Sequence, residues 1–233
     1  MRKFLSAFLF GSMLICSANA NVLEFDSSDP LYMLKTEEIL SETSASFGRD
    51  ILRFGETLSY GLNEKLTVSI NANYQIDFSG HDDGFTSTDL GIVYRAGASD
   101  TFISDVLAGF KVGGSRSVRT PWYADSTYYV GWRFGRQWAG LTLAGTIQSN
   151  WIFDDARGMA YIDFLPEAYF RFDADWRLGL NLLFRKATTP SYDEEWIGAK
   201  VVRQFGRTQY IGHIDYEFEH EDVQIGARVN ILF

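Results

Sequence analysis

Cysteine is almost absent: one thiol, Cys16, in 233 residues. With a single cysteine the chain can close no internal disulfide and build no multi-thiolate metal site. Basic charge is also short. Lys and Arg number 21 against 30 Asp and Glu, a formal charge of −9. An acidic chain does not bind nucleic acid by neutralising phosphates, so no nucleic-acid partner is expected. Long apolar runs are missing as well. After residue 20 no stretch approaches the roughly 20 apolar residues that a membrane helix needs. A membrane protein without such helices has one architecture left, a closed β-barrel. Histidine is scarce, with three copies, which leaves little material for acid–base catalysis.

The N-terminus has its own pattern. Arg2 and Lys3 precede an apolar stretch from Phe4 to Ile15, and Ala18-Asn19-Ala20 supplies a small-x-small site. This reads as a secretory signal peptide over 1–20, cleaved after Ala20. The apolar part is too short to anchor the chain in a bilayer. Ile15 is not the small residue that a lipidated Cys16 would require before it. Cleavage removes Cys16 together with two basic groups, so the mature chain has no thiol and is two units more negative.

The strongest pattern lies at 66–78. Leu66, Val68, Ile70, Ala72, Tyr74, Ile76 and Phe78 are apolar, and the residues between them are polar. Period two gives a strand one oily and one wet face; a helix would scatter both sets around its axis. The same alternation predicts strands near 39–47, 52–62, 66–78, 87–96, 102–112, 127–134, 140–151, 161–172, 176–186, 196–205, 209–219 and 223–233. Two residues resist it. Glu56 falls on an oily face, and Pro166 sits inside a strand, where a bulge is expected to accommodate it. Connections after the even strands are short, and the four longest follow odd strands. Short periplasmic turns alternating with longer outer loops are the habit of membrane barrels. An even strand count places both termini in the periplasm.

The fold class expected is therefore all-β: a single antiparallel up-and-down transmembrane β-barrel over 37–233, of twelve strands, or ten if the first two are misread. Residues 21–36 read as a short periplasmic lead or an extension of the first strand. A soluble barrel with an oily interior also alternates. Against it stand a wet face rich in Gly, Asn, Ser and charge, and aromatics gathered near strand ends, such as Phe78, Phe102, Trp132, Trp151, Phe172 and Trp176. Interfacial girdles lie at those heights. The chain closes on Val229-Asn230-Ile231-Leu232-Phe233. In this it resembles bacterial outer-membrane β-barrel proteins, whose last strand typically ends in Phe and serves as the assembly signal. That resemblance implies an outer-membrane location, lipid and lipopolysaccharide as surroundings, and recognition of Phe233 by the barrel assembly machinery.

Function is less legible. On the wet face, Arg177, Arg185 and Lys200 stand on neighbouring strands with no inward acid between them, with Arg171 and Arg228 nearby. Asp77, Asp89 and Asp105 stand opposite, diluted by Arg95 and Lys111. A basic arc facing an acidic one would set a transverse field across a pore. The basic arc resembles the inward arginine tracks of some twelve-stranded channels for acidic oligosaccharides, an analogy of architecture alone. The longest loop, 113–126, carries Arg116 and Arg119. They would line a constriction if it folds inward as the third loop of trimeric porins does, or meet lipopolysaccharide phosphates if it does not. His213 and Asp215 share one strand face in a manner superficially like the omptin Asp–His couple, yet away from the outer rim; a lumenal network is the expected role. The expectation is a passive channel for small hydrophilic solutes with a modest anionic preference, without cofactor or metal. The alternatives are a closed barrel with a salt-bridged lumen and, third, a barrel-wall hydrolase.

Overall fold

The computed structural model describes residues 26–79, 83–100, 102–114, 126–153, 160–188, 193–219 and 221–233. The proposed signal peptide lies outside them. Alternation becomes twelve strands: β1 (Ile39–Gly48), β2 (Ile51–Asn63), β3 (Leu66–Asp77), β4 (Gly84–Ala98), β5 (Ile103–Gly113), β6 (Thr127–Gln137), β7 (Leu141–Ile152), β8 (Ala160–Arg171), β9 (Trp176–Ala187), β10 (Glu194–Phe205), β11 (Thr208–Glu217) and β12 (Asp222–Leu232). Each pairs antiparallel with its sequence neighbour, and β1 pairs with β12, so the sheet is a closed barrel without an edge. The seam runs from Leu40↔Leu232 to Phe47↔Ile225, and the Phe233 N–H extends it by donating to the Ile39 carbonyl at 2.9 Å.

Closure sorts the alternating residues into two environments. Ile70, Leu90 and Ile225 are 46%, 53% and 59% exposed on the outside. An apolar belt this continuous suits hydrocarbon and would be a large hydrophobic patch in water. Aromatic pairs cluster at its two rims. At the short-turn end Phe134 stacks on Phe102 and packs on Trp132; at the long-loop end Tyr128 meets Trp151 and Phe153.

Two local expectations need correction. Pro166 causes no bulge: its register with Gly145 on β7 is continuous, and the β8–β9 register is the same on both sides of it. The ladder merely lacks the β8–β9 pairs at 165 and 166, as expected where a residue has no N–H to give. Glu56 does stand on the outer face, and it is accommodated by donors rather than by a register slip. Ser41 Oγ and Thr43 Oγ1 on β1 donate to its two carboxylate oxygens at 2.8 and 2.5 Å.

The described part of the N-terminal segment does not extend β1, which begins at Ile39. Two turns, Asp29 N–H to the Asp26 carbonyl and Tyr32 N–H to the Asp29 carbonyl, compact residues 26–32. The segment then packs into the short-turn end of the barrel. Leu31 and Leu34 are almost fully buried there, Leu34 against Leu40 and Leu232.

Candidate functional site

The residues that hold this segment come from the inner wall. Asp26 is the hub. Its Oδ1 accepts from Tyr169 Oη at 2.6 Å and Gln209 Nε2 at 3.0 Å, and its Oδ2 from Arg171 Nε at 3.1 Å and Arg177 Nε at 3.4 Å. Asp29 Oδ2 accepts from Thr142 Oγ1 at 2.5 Å, Gln137 Nε2 at 3.0 Å and Arg171 Nη2. Two backbone carbonyls are also claimed: Lys200 Nζ donates to Ser28 at 2.9 Å, and Arg95 Nη2 to Leu31 at 2.7 Å. Asn230 and Gln209 bond the Ser27 hydroxyl, both at 2.8 Å. One short segment is thereby tied to β4 and to every strand from β6 to β12. Charge-assisted bonds are roughly twice as strong as neutral ones, so Arg171, spanning both carboxylates, is the strongest single tie.

Arg177 thus faces Asp26, an acid that the strands themselves do not supply, and Lys200 a carbonyl of the same segment, which corrects the expectation of an uncompensated basic arc. Arg185 is not part of that cluster at all. It lies toward the long-loop end, where Nε reaches Asp163 at 2.7 Å and Nη1 reaches Glu194 at 3.0 Å. Glu194 is the acid that the sequence pattern missed, because it reads as part of the loop run Asp193-Glu194-Glu195. Register settles it: Glu194 opens β10 directly opposite Arg185. Arg228 reaches Glu42 at 3.4 Å.

The acidic arc dissolves in the same way. Asp105 is fully buried between Arg95, at 2.8 Å, and Arg133, at 2.6 Å. Asp89 stands opposite Lys111 in register. Asp77 ends β3 and accepts from the Ser79 N–H at 2.8 Å, at the long-loop rim. These acids stand at different heights of the lumen and form no single arc. Charges confined in a lumen carry a large desolvation cost and are retained where partners offset it.

Above the N-terminal segment lies a lumenal cavity of about 540 Å³. Each of the twelve strands contributes to its lining, and Ser27 to Leu34 form its floor. Its charged residues are mixed in sign: Glu42, Glu167 and Asp215 with Arg133, Lys200 and Arg228. Lumenal glycines make room for long side chains. A Cβ on Gly179 would run into the Lys200 stem, and one on Gly226 into the His213 ring. His213 Nδ1 lies 2.8 Å from Asp215 Oδ2, and both line the cavity. Arg116, Arg119, His81 and His220 lie outside the described residues. Asp26 and Asp29 are the site residues that the sequence reading passed over. Their signal was the turn-forming run Asp26-Ser27-Ser28-Asp29-Pro30, rich in acceptors but without strand alternation.

No family model and no curated protein matches the sequence. Solved structures do match. An outer membrane channel from Pseudomonas putida F1 aligns with a TM-score of 0.65 at 10% identity, over 90% of this chain and 100% of that one. The KdgM porin in complex with disordered oligogalacturonate aligns at 0.64 and 10%, over 82% and 98%. The NanC porin aligns at 0.64 and 9%, over 84% and 98%. At these identities the likeness is one of fold. The chain has the closed, twelve-stranded antiparallel β-barrel fold that these channels share.

Proposed function

We propose that this protein is a passive outer-membrane channel for small hydrophilic solutes, narrowed at its short-turn end by residues 26–34. The observation that carries the reading is the polar cavity of about 540 Å³ lined by all twelve strands. A barrel that served only as a scaffold could fill that volume with side chains, as small barrels do. Wall charges of both signs suit hydrated solutes and give weak selectivity, since each cation named above has an acid or a carbonyl near it. Asp26 and Phe233 lie at the short-turn end, which this reading places in the periplasm, with the longer loops outside. The last strand and Phe233 serve assembly, and lipid and lipopolysaccharide surround the wall.

The test is conductance of the folded, leaderless protein in a planar bilayer. Steady ohmic steps are expected from wild type, and larger ones from a variant lacking residues 26–34. Silence from both proteins, with folding verified by heat-modifiable gel migration, would overturn the channel in favour of a closed structural barrel.

A further inference from the structure

The lumenal end of this barrel contains a built carboxylate site that already has an occupant. Arg171 Nε holds Asp26, and Nη2 of the same guanidinium holds Asp29. Tyr169, Gln209, Thr142 and Gln137 supply neutral donors to the two carboxylates. The site is buried: Tyr169, Thr142 and Gln209 are almost inaccessible, and the side chains of Arg171 and Arg177 are 9% and 0% exposed. Yet its occupancy is incomplete. Arg177 Nη1 is buried and has no hydrogen-bond partner among the described residues. A buried guanidinium N–H without an acceptor is costly, so this site retains capacity for one more anionic oxygen.

We propose that this cluster is a binding site for small di- and tricarboxylates, and that Asp26 and Asp29 occupy it in cis as a displaceable competitor. The spacing sets the ligand class. Two carboxylates must lie close enough to share one guanidinium, with a further acceptor oxygen within reach of Arg177. A monocarboxylate replaces only half of the segment's bonds, and an uncharged solute replaces none. A ligand that binds the seat only when the segment has left shifts the equilibrium by its own affinity for the vacated state. The segment is suited to leave. Outside Leu31, Tyr32 and Leu34 it is held largely by polar contacts, which a carboxylate ligand or water can replace, and its flanking residues Lys35 to Glu38 form a turn against Gly61 that remains as a tether. The inference rests on the channel reading only in placing this seat on a solute path; occupancy itself is measured without current.

Ser28 is almost fully buried between Asp26 and Tyr169, and the leaderless chain has no other thiol. Ser28→Cys therefore reports seating by its rate of maleimide labelling in folded, detergent-solubilised protein. Labelling is expected to be slow and to speed up with citrate, but not with sodium chloride at equal ionic strength. Loss of the charge-assisted bonds in Asp26→Asn with Asp29→Asn should raise the basal rate at least about tenfold. Arg171→Gln should also raise the basal rate and abolish the citrate response. Arg185→Gln, at the opposite end, should change neither. A rate insensitive to citrate, or equal responses to citrate and chloride, would overturn the carboxylate site. Fast labelling of the parent Ser28→Cys protein, unchanged by the Asp26 and Asp29 substitutions, would overturn the seated segment itself, whether or not the protein conducts.

Discussion

Glu56 stands on a face that otherwise meets hydrocarbon. Phe54 and Leu58 flank it along β2, and Ala72 faces it across the ladder. Its two donors, Ser41 and Thr43, stand on the neighbouring strand. Three polar side chains satisfy one another where each alone would be costly. Replacing Ser41 by Ala and Thr43 by Val should destabilise the barrel by about 3 kcal/mol, because the carboxyl group loses both donors. Adding Glu56→Leu should recover the loss. Denaturant titrations of protein folded into vesicles measure the cycle, and equal stability of the double and triple variants would show that the cluster is not one unit. The neighbouring strand offers a second residue-scale test. Ile70→Arg puts a charge on the lipid face and should cost about 2–4 kcal/mol of insertion. Asn71, one position on, bonds Thr57 and stands opposite Asp89. Arg at 71 would meet that acid in a wet lumen, so insertion should stay near wild type. Equal damage from the two substitutions would mean that the faces are exchanged.

At the scale of elements, strands and segment were unequally legible in the sequence. Strand existence was legible because each strand has one face in lipid and one in water, and period two records that difference residue by residue. The boundaries moved where the pattern blurs: β4 starts at Gly84 rather than 87, and β6 runs on through Arg136 and Gln137. Pro166 shows why a local rule overreached. A missing N–H costs one ladder bond, and the strand absorbs it without a register change. The segment 26–34 was illegible for a different reason. It has no period, and its placement depends on partners far away in sequence: Asp26 meets Tyr169, Arg171, Arg177 and Gln209 only after the barrel has closed. Counting charge along strands therefore gave a basic arc with no acid, when the acid arrives from outside the strands. Arg185 was misgrouped by a smaller error, the placement of Glu194 in a loop rather than at the first position of β10.

For the whole molecule, in the proposed channel, the question is which charges a permeating ion feels. The acidic excess of the chain lies largely in loops and rims, where salt screens it over about 8–10 Å. Charges facing a lumen with low-dielectric walls are screened less, so the lumenal balance decides selectivity. At the short-turn end Arg171, Arg177 and Lys200 are set against Asp26 and Asp29. Arg95 and Arg133 are set against Asp105. Glu42, Glu167 and Asp215 on the cavity wall, less the charge of Arg228, cancel the small positive remainder. Wild type should therefore be nearly unselective, although the chain is acidic. Asp26→Asn with Asp29→Asn removes two negative charges from the section that the segment narrows in the proposed channel and leaves its three cations in place. Reversal potential across a salt gradient should then move clearly toward the anion limit, with conductance equal to or above wild type. Arg185→Ala should move it the other way, because Asp163 and Glu194 lose their shared partner. If the Asn pair leaves the reversal potential where it was, ions do not pass the segment, and the charges that set selectivity must lie elsewhere in the lumen.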